Sequence, residues 1–242
     1  MSDAAALTDS AGQRAASSDL ARGDRAGADD GLGRCTLAVL TAGIRQPSAT
    51  ALLADRLADA TARALRRSGM TIRLVGVELR PYATALADAM VTGQVPPELG
   101  CVVDSVTGAD GLIAVTPTFA GSYAGLFKSF FDVLDRRALI GMPVLLGATG
   151  GSVRHSLVIE YAMRPLLSYF YAVIAPTGVF AAPGDLAERT PAGGPDDAAP
   201  TGVDAAPDLL AERIDRAAGE MAELVLAAMP RETARTRGPV SA

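Results

Sequence analysis

Five short apolar, β-rich runs recur along the chain: Thr36 to Leu40 (TLAVL), Thr71 to Val77 (TIRLVGV), Gly111 to Val115 (GLIAV), Val144 to Ala148 (VLLGA) and Ala172 to Pro176 (AVIAP). Helical stretches separate them. Between the first two, Leu53, Leu57, Ala60 and Ala64 form one apolar stripe over Thr50 to Arg67, and Gly69 follows as a helix stop. Such alternation leaves few folds open. Runs that are apolar throughout, rather than at every second residue, belong to strands buried on both faces, and helical crossovers between them make the strands parallel. The expectation is an α/β protein whose five-stranded parallel sheet carries helices on both faces. No internal repeat interrupts the order.

The 242 residues, 49% of them apolar, can bury one sizeable core without needing a second domain. The ends differ from the middle. Residues 1–33 mix Ala, Asp, Ser, Gly and Arg without periodicity, a composition that predicts a disordered tail. Residues 34–183 form the expected domain. Residues 184–207, with PAGGPDDAAPTG at their centre, read as a flexible loop. Residues 208–230 carry Leu210, Ile214, Ala217, Met221 and Leu224 at helical spacing, predicting a last helix that returns to the same domain before a tail over 231–242. The net charge of -5 and the lack of a Lys/Arg cluster argue against nucleic acid or an anionic membrane as partner. No apolar run reaches membrane-spanning length and the N-terminus lacks a leader-like pattern, so a soluble cytoplasmic protein is expected. Cys35 and Cys101 stand far apart, which builds neither a CxxC pair nor a zinc site.

Three loops at strand ends carry the candidate chemistry, because ligands of open α/β sheets bind outside the carboxyl ends of the strands. The first, Thr41 to Thr50 (TAGIRQPSAT), opens a helix. Small residues such as Gly43 and Ala49 let a ligand approach the backbone, Thr41, Ser48 and Thr50 offer hydroxyls, Arg45 offers a charged fork, and the helix start favours an anion. Ser48 read blandly is an N-cap and Arg45 a solvated side chain. The second loop, Pro117 to Gly125, combines a stiff exit at Pro117 and Thr118 with room at Ala120, Gly121 and Ser122, and Phe119 or Tyr123 is placed to cover a ring. In the helix beyond it, Leu126, Phe127, Phe130 and Phe131 read as core. The third, Thr149 to His155 (TGGSVRH), offers consecutive backbone N–H groups at Gly150 and Gly151, with Thr149 and Ser152 as polar neighbours. His155 is the only histidine and has no cluster beside it, so no metal site is expected.

Neither common nucleotide loop is present. A Walker pattern is missing after the first strand, Lys128 lies three positions beyond Gly125, and Gly31 and Gly33 precede the strand instead of following it. A mononucleotide phosphate fits better.

Taken together, the segments Ala42 to Thr50, Pro117-Thr118-Phe119 with Gly125 to Asp132, and Gly147 to Gly151 followed by Arg154-His155-Ser156-Leu157 resemble the flavodoxin-like NAD(P)H-dependent FMN reductases, most closely those paired with luciferase-like flavin monooxygenases. The resemblance spans about Thr36 to Ala182. It implies a doubly wound sheet in the order 2-1-3-4-5, FMN and NADH or NADPH as cofactors, and a homodimer or homotetramer, with the Tyr123 to Leu134 helix as a possible subunit face. It further implies that the Ser48 to Thr50 region holds the FMN phosphate, that Pro117 to Ser122 borders the isoalloxazine, and that Thr149 to Gly151 contact its pyrimidine edge. The chain departs from the family in two places. Ala42-Gly43-Ile44-Arg45 stands where relatives often have Gly-Ser-x-Arg, and Phe119-Ala120 replaces the usual aromatic-Asn pair.

Hydride transfer to a flavin needs ring positioning and support for negative charge, and no acid/base residue is assigned. Reduced FMN would then pass to a partner monooxygenase. Two alternatives stay open: a quinone or azo-dye reductase that retains FMN, and a flavodoxin-like electron carrier without pyridine-nucleotide activity.

Overall fold

A computed structural model of the chain describes residues 33–186 and 209–229. The expected tail over 1–33 apart from its last residue, the expected tail over 231–242, and the expected loop from residue 187 onward lie outside the described residues. Strand β1 (Arg34–Thr41) leads into helix α1 (Ala49–Arg67) and strand β2 (Thr71–Glu78). Gly69, at φ 81, turns the chain out of α1 in the left-handed region that glycine enters without strain. Between β2 and β3 (Gly111–Phe119) the chain forms two helices, α2 (Ala83–Thr92) and α3 (Pro97–Thr107), because Gly93 at φ 72 ends one and Pro97 starts the next.

The sheet runs in the order β2-β1-β3-β5-β6, all parallel, with β5 at Pro143–Thr149 and β6 at Val173–Ile174. This path of five is the 2-1-3-4-5 order of flavodoxin-like folds. The count is corrected from five strands to seven. A two-residue strand β4 (Ser122–Tyr123) folds back antiparallel on β3, and β7 (Val179–Ala181) pairs with β5 beyond the end of β6. The predicted fifth strand, Ala172 to Pro176, is therefore split, its continuation shifted past a break at residues 175–178.

Two apolar clusters fill the two faces. On one, α2, α3, α4 (Gly125–Asp132) and α5 (Arg164–Tyr169) cover Leu40, Leu112, Ala114, Val144 and Leu146, and Phe127, Phe130 and Phe131 are fully buried there. Tyr123, Phe127, Phe131 and Phe170 stack in series with ring centroids 5.8, 4.8 and 5.8 Å apart. The core reading of Phe127, Phe130 and Phe131 holds: α4 turns its rings inward and leaves Lys128 and Asp132, paired with each other, towards solvent. On the other face, α1 packs with α6 (Leu209–Ala228) over Leu37, Ile113, Val115 and Leu145, and Leu210, Ile214, Ala217, Met221 and Val225 bury the inner side of α6. The packing places the C-terminal ends of β1, β3, β5 and β7 at one rim.

Candidate active site

At that rim lies a cavity of about 360 Å³, lined by Gly43 to Arg45, Pro47 to Thr50, Pro117 to Phe119, Thr149 to Gly151 and Ala181 to Pro183 with Leu186. It joins parts of all three sequence-predicted loops. Helix α1 begins here because Ser48 is extended and its Oγ accepts from Ala51 N at 3.1 Å, the geometry of an N-cap. With no acidic residue in its first turn, this 19-residue helix turns its unpaired N–H groups and positive end towards the cavity. Gly43 is buried against the cap. A Cβ there would stand 2.3 Å from Ser48 Oγ, so the departure from Ser at this position is what allows the Ser48 hydroxyl its place.

Thr50 and Thr149 hold the first and third loops together. Both are buried, and their hydroxyls lie 3.0 Å apart. One donates and the other accepts, which leaves a single O–H from the pair for another partner. Arg45 is exposed and makes no ion pair among the described residues.

The second loop differs from its expected form. Strand β3 continues through Phe119, and Ala120 (φ 48) and Gly121 (φ 80) make a two-residue hairpin turn to β4. Positive φ at both central positions is the mark of a type I′ turn. Ala120, Gly121 and Ser122 thus sit on the hairpin and outside the cavity lining, while Pro117, Thr118 and Phe119 remain in it. Phe119 is 41% exposed, whereas Tyr123 is engaged with the Phe127 ring. The third loop carries another correction. Gly150 N donates to Ala181 O at 3.2 Å, extending the β5–β7 ladder, so of the two glycine N–H groups only that of Gly151 is unspent among the described residues. A Cβ on Gly150 would meet the Phe180 ring at 2.8 Å.

Two further predicted residues lie off the cavity. Thr41 is buried at the end of β1, donates to Val77 O at 3.5 Å and borders an adjoining groove along β2 that shares Gly43 and Ser48 with the cavity. His155 sits half-buried in a helical turn (Val153–His155) capped by Ser152. The wall of Ala181, Ala182, Pro183 and Leu186 was missed. Its signal was the apolar run Val179 to Ala182 just after the predicted fifth strand, which only a split strand turns towards the rim. Leu186, expected in the flexible loop, is buried, and Asp185 steadies its turn by accepting from Ala182 N at 2.8 Å. No group of residues able to hold a metal ion occurs among the described residues.

The model of the NADPH-dependent FMN reductase family matches residues 35–187, more than half of the chain. The chain belongs to this family. It is 39% identical over 146 residues to an FMN reductase (NADPH) of Pseudomonas aeruginosa, a match covering 60% of this chain and 76% of that protein. To the NADH-dependent FMN reductase SfnE of Pseudomonas putida it is 36% identical over 149 residues, covering 62% and 77%. Among solved structures, an oxidoreductase of Corynebacterium diphtheriae superposes with a TM-score of 0.69 at 42% identity, covering 80% of this chain and 98% of that one. The protein is an oxidoreductase that works on FMN with NADPH or NADH.

The residues at the rim fit FMN. An N-terminal helix end beside hydroxyls suits a phosphate, small and backbone-rich walls suit a flat ring, and one unsatisfied group awaits a partner. Thr118 Oγ1 is buried without a hydrogen bond, alone in this among the side-chain polar atoms of the described residues. A heterocycle edged with N–H and C=O groups is the kind of partner that satisfies such an atom.

Proposed function

We propose that the reductase takes FMN into the rim cavity as an exchangeable ligand and releases it reduced for a partner monooxygenase. The observation that carries this reading is the lining itself. It consists mainly of backbone and small side chains, with no ionic anchor besides exposed Arg45. Bound there, FMN supplies the acceptor for the nicotinamide hydride. The protein's own part is orientation. Ser48, the N–H groups of Ala49 and Thr50, and Arg45 take the phosphate; Pro117, Thr118 and Phe119 border the ring; Thr149 and Gly151 face its polar edge. Negative charge on the reduced ring is met by the free Gly151 N–H. No side chain is assigned a proton transfer.

Purified protein tests the proposal. It should emerge colourless, with NADPH oxidation rising saturably with added FMN. A yellow protein whose NADPH oxidation ignores added FMN sinks the exchange and points to a retained-flavin reductase.

The proposal extends to assembly and place. Val153, Leu157 and Tyr161, 68%, 60% and 79% exposed, follow at four-residue spacing from the third loop, and exposed side chains of this kind support a homodimer or homotetramer. Sedimentation giving a monomer mass at micromolar concentration contradicts it. No described helix is long and apolar enough to cross a membrane, and a requirement for NAD(P)H supports a cytoplasmic site of action.

A further inference from the structure

The fifth strand breaks between β6 and β7, and the break is clasped from two sides. Glu220, on α6, spends both carboxylate oxygens on one residue: Oε2 accepts from Thr177 N at 2.6 Å and Oε1 from Thr177 Oγ1 at 2.7 Å. From the other face Arg164 donates to Ala175 O at 3.3 Å and Pro176 O at 3.0 Å, while its Nε holds Glu160. Gly178 completes the fit, because a Cβ there would strike Ile159 Cγ2 at 2.5 Å. Residues 175–178 therefore have one seated position. From it, β7 leaves in register with β5, pairing Val179 to Gly147, Phe180 to Ala148 and Ala181 to Thr149. Further along, Arg213 of α6 donates to Phe180 O and Arg56 of α1 to Leu186 O, each at 3.4 Å.

We propose that Glu220 is a positioning residue for flavin binding: by fixing Thr177 it sets the register and pitch of β7, and with them the Ala181 to Leu186 wall of the cavity. It touches no part of the cavity lining itself. The carboxylate accepts from both the backbone N–H and the hydroxyl of Thr177, and its charge strengthens both bonds. An amide in its place keeps the backbone bond through its oxygen and reaches the hydroxyl by donating to it, so the geometry survives and both bonds lose their charge. The inference rests on the flavin reading of the cavity.

The test is Glu220→Gln, nearly identical in shape, with two readouts. Hydrogen exchange on the flavin-free protein should speed up about tenfold over residues 175–186 while the amides of β1 and β3 keep their protection, as turning two charge-assisted hydrogen bonds into neutral ones corresponds to roughly a tenfold change in a local opening equilibrium. The FMN Kd and the KM for FMN should rise by a similar factor, roughly tenfold, with kcat at saturating FMN retained. Thr177→Val, which removes only the hydroxyl bond, should show the same pattern more weakly and serves if the first variant does not fold. Uniform loss of protection across the sheet, or an FMN Kd equal to wild type, overturns the proposal. Wild-type protein that fails to bind FMN refutes the flavin reading separately, and the exchange data still decide whether Glu220 fixes the wall.

Discussion

Replacing Gly43 with alanine tests the phosphate end of the cavity by adding one methyl group. The new Cβ would lie 2.3 Å from Ser48 Oγ and 3.4 Å from Ser48 Cβ and Thr50 Cβ, so the Ser48 hydroxyl must swing away. Two losses follow. The first is the N-cap of α1, the 3.1 Å bond from Ala51 N, which costs about 1 kcal/mol, or about 2–4 °C in Tm for a chain of this size. The second is a hydroxyl donor to the phosphate, a hydrogen bond to a charged group that contributes about 1.5–3 kcal/mol, so the FMN Kd should rise roughly 10- to 150-fold. The two are separated by riboflavin, which carries the same ring without the phosphate. Fluorescence titration should find FMN binding weakened and riboflavin binding nearly unchanged, with the preference for FMN largely gone. Equal weakening of both ligands would refute the placement of the phosphate. An unchanged Tm would refute the displacement of the cap.

Thr118→Val removes the unsatisfied hydroxyl, so calorimetry of the flavin-free protein should find it more stable by about 1 kcal/mol, while FMN titration finds weaker binding; two changes of the same sign contradict this account of Thr118. Ala120 holds φ 48 at some cost, so Ala120→Asn, which creates the Asn-Gly pair favoured in such turns, should raise denaturant stability by about 0.5–1 kcal/mol; a loss of stability would contradict the assigned turn. Burial, with a smaller contribution from Asp110, pushes the Cys35 thiol up from 9.0 to about 11. Below pH 9.0 folded and unfolded chains both keep this proton; above it the unfolded chain releases the proton first, so stability should fall as the pH climbs from 9.0 through about 11. A thiol reagent at neutral pH should correspondingly label exposed Cys101 and spare Cys35 until the chain is denatured.

The sheet was legible because its central strands are buried on both faces, which writes them as unbroken apolar runs, and because the stripe at Leu53, Leu57, Ala60 and Ala64 has a helix period. The Ser48 cap and the buried Phe127, Phe130 and Phe131 follow from local rules of the same kind. What stayed hidden depended on pairings between distant residues. Nothing local in TFAGSY announces a hairpin, since Ala120 is a poor choice for positive φ, and it is the ladder from Thr118 to Tyr123 that holds it there. The break at residues 175–178 depends on Arg164 and Glu220, the latter 43 residues from Thr177. For the same reason Gly150 read as a free donor: its N–H is spent on Ala181, a partner that exists only once β7 has crossed to β5.

The most direct test of the central claim is the crystal structure of the protein with FMN soaked in. The account predicts the phosphate at the start of α1, within hydrogen-bonding distance of the Ser48 hydroxyl and the Thr50 N–H, with the ring between Pro117 to Phe119 and the Gly151 edge. A flavin bound away from this rim, or one with its ring at α1 and its phosphate at Gly151, would contradict it.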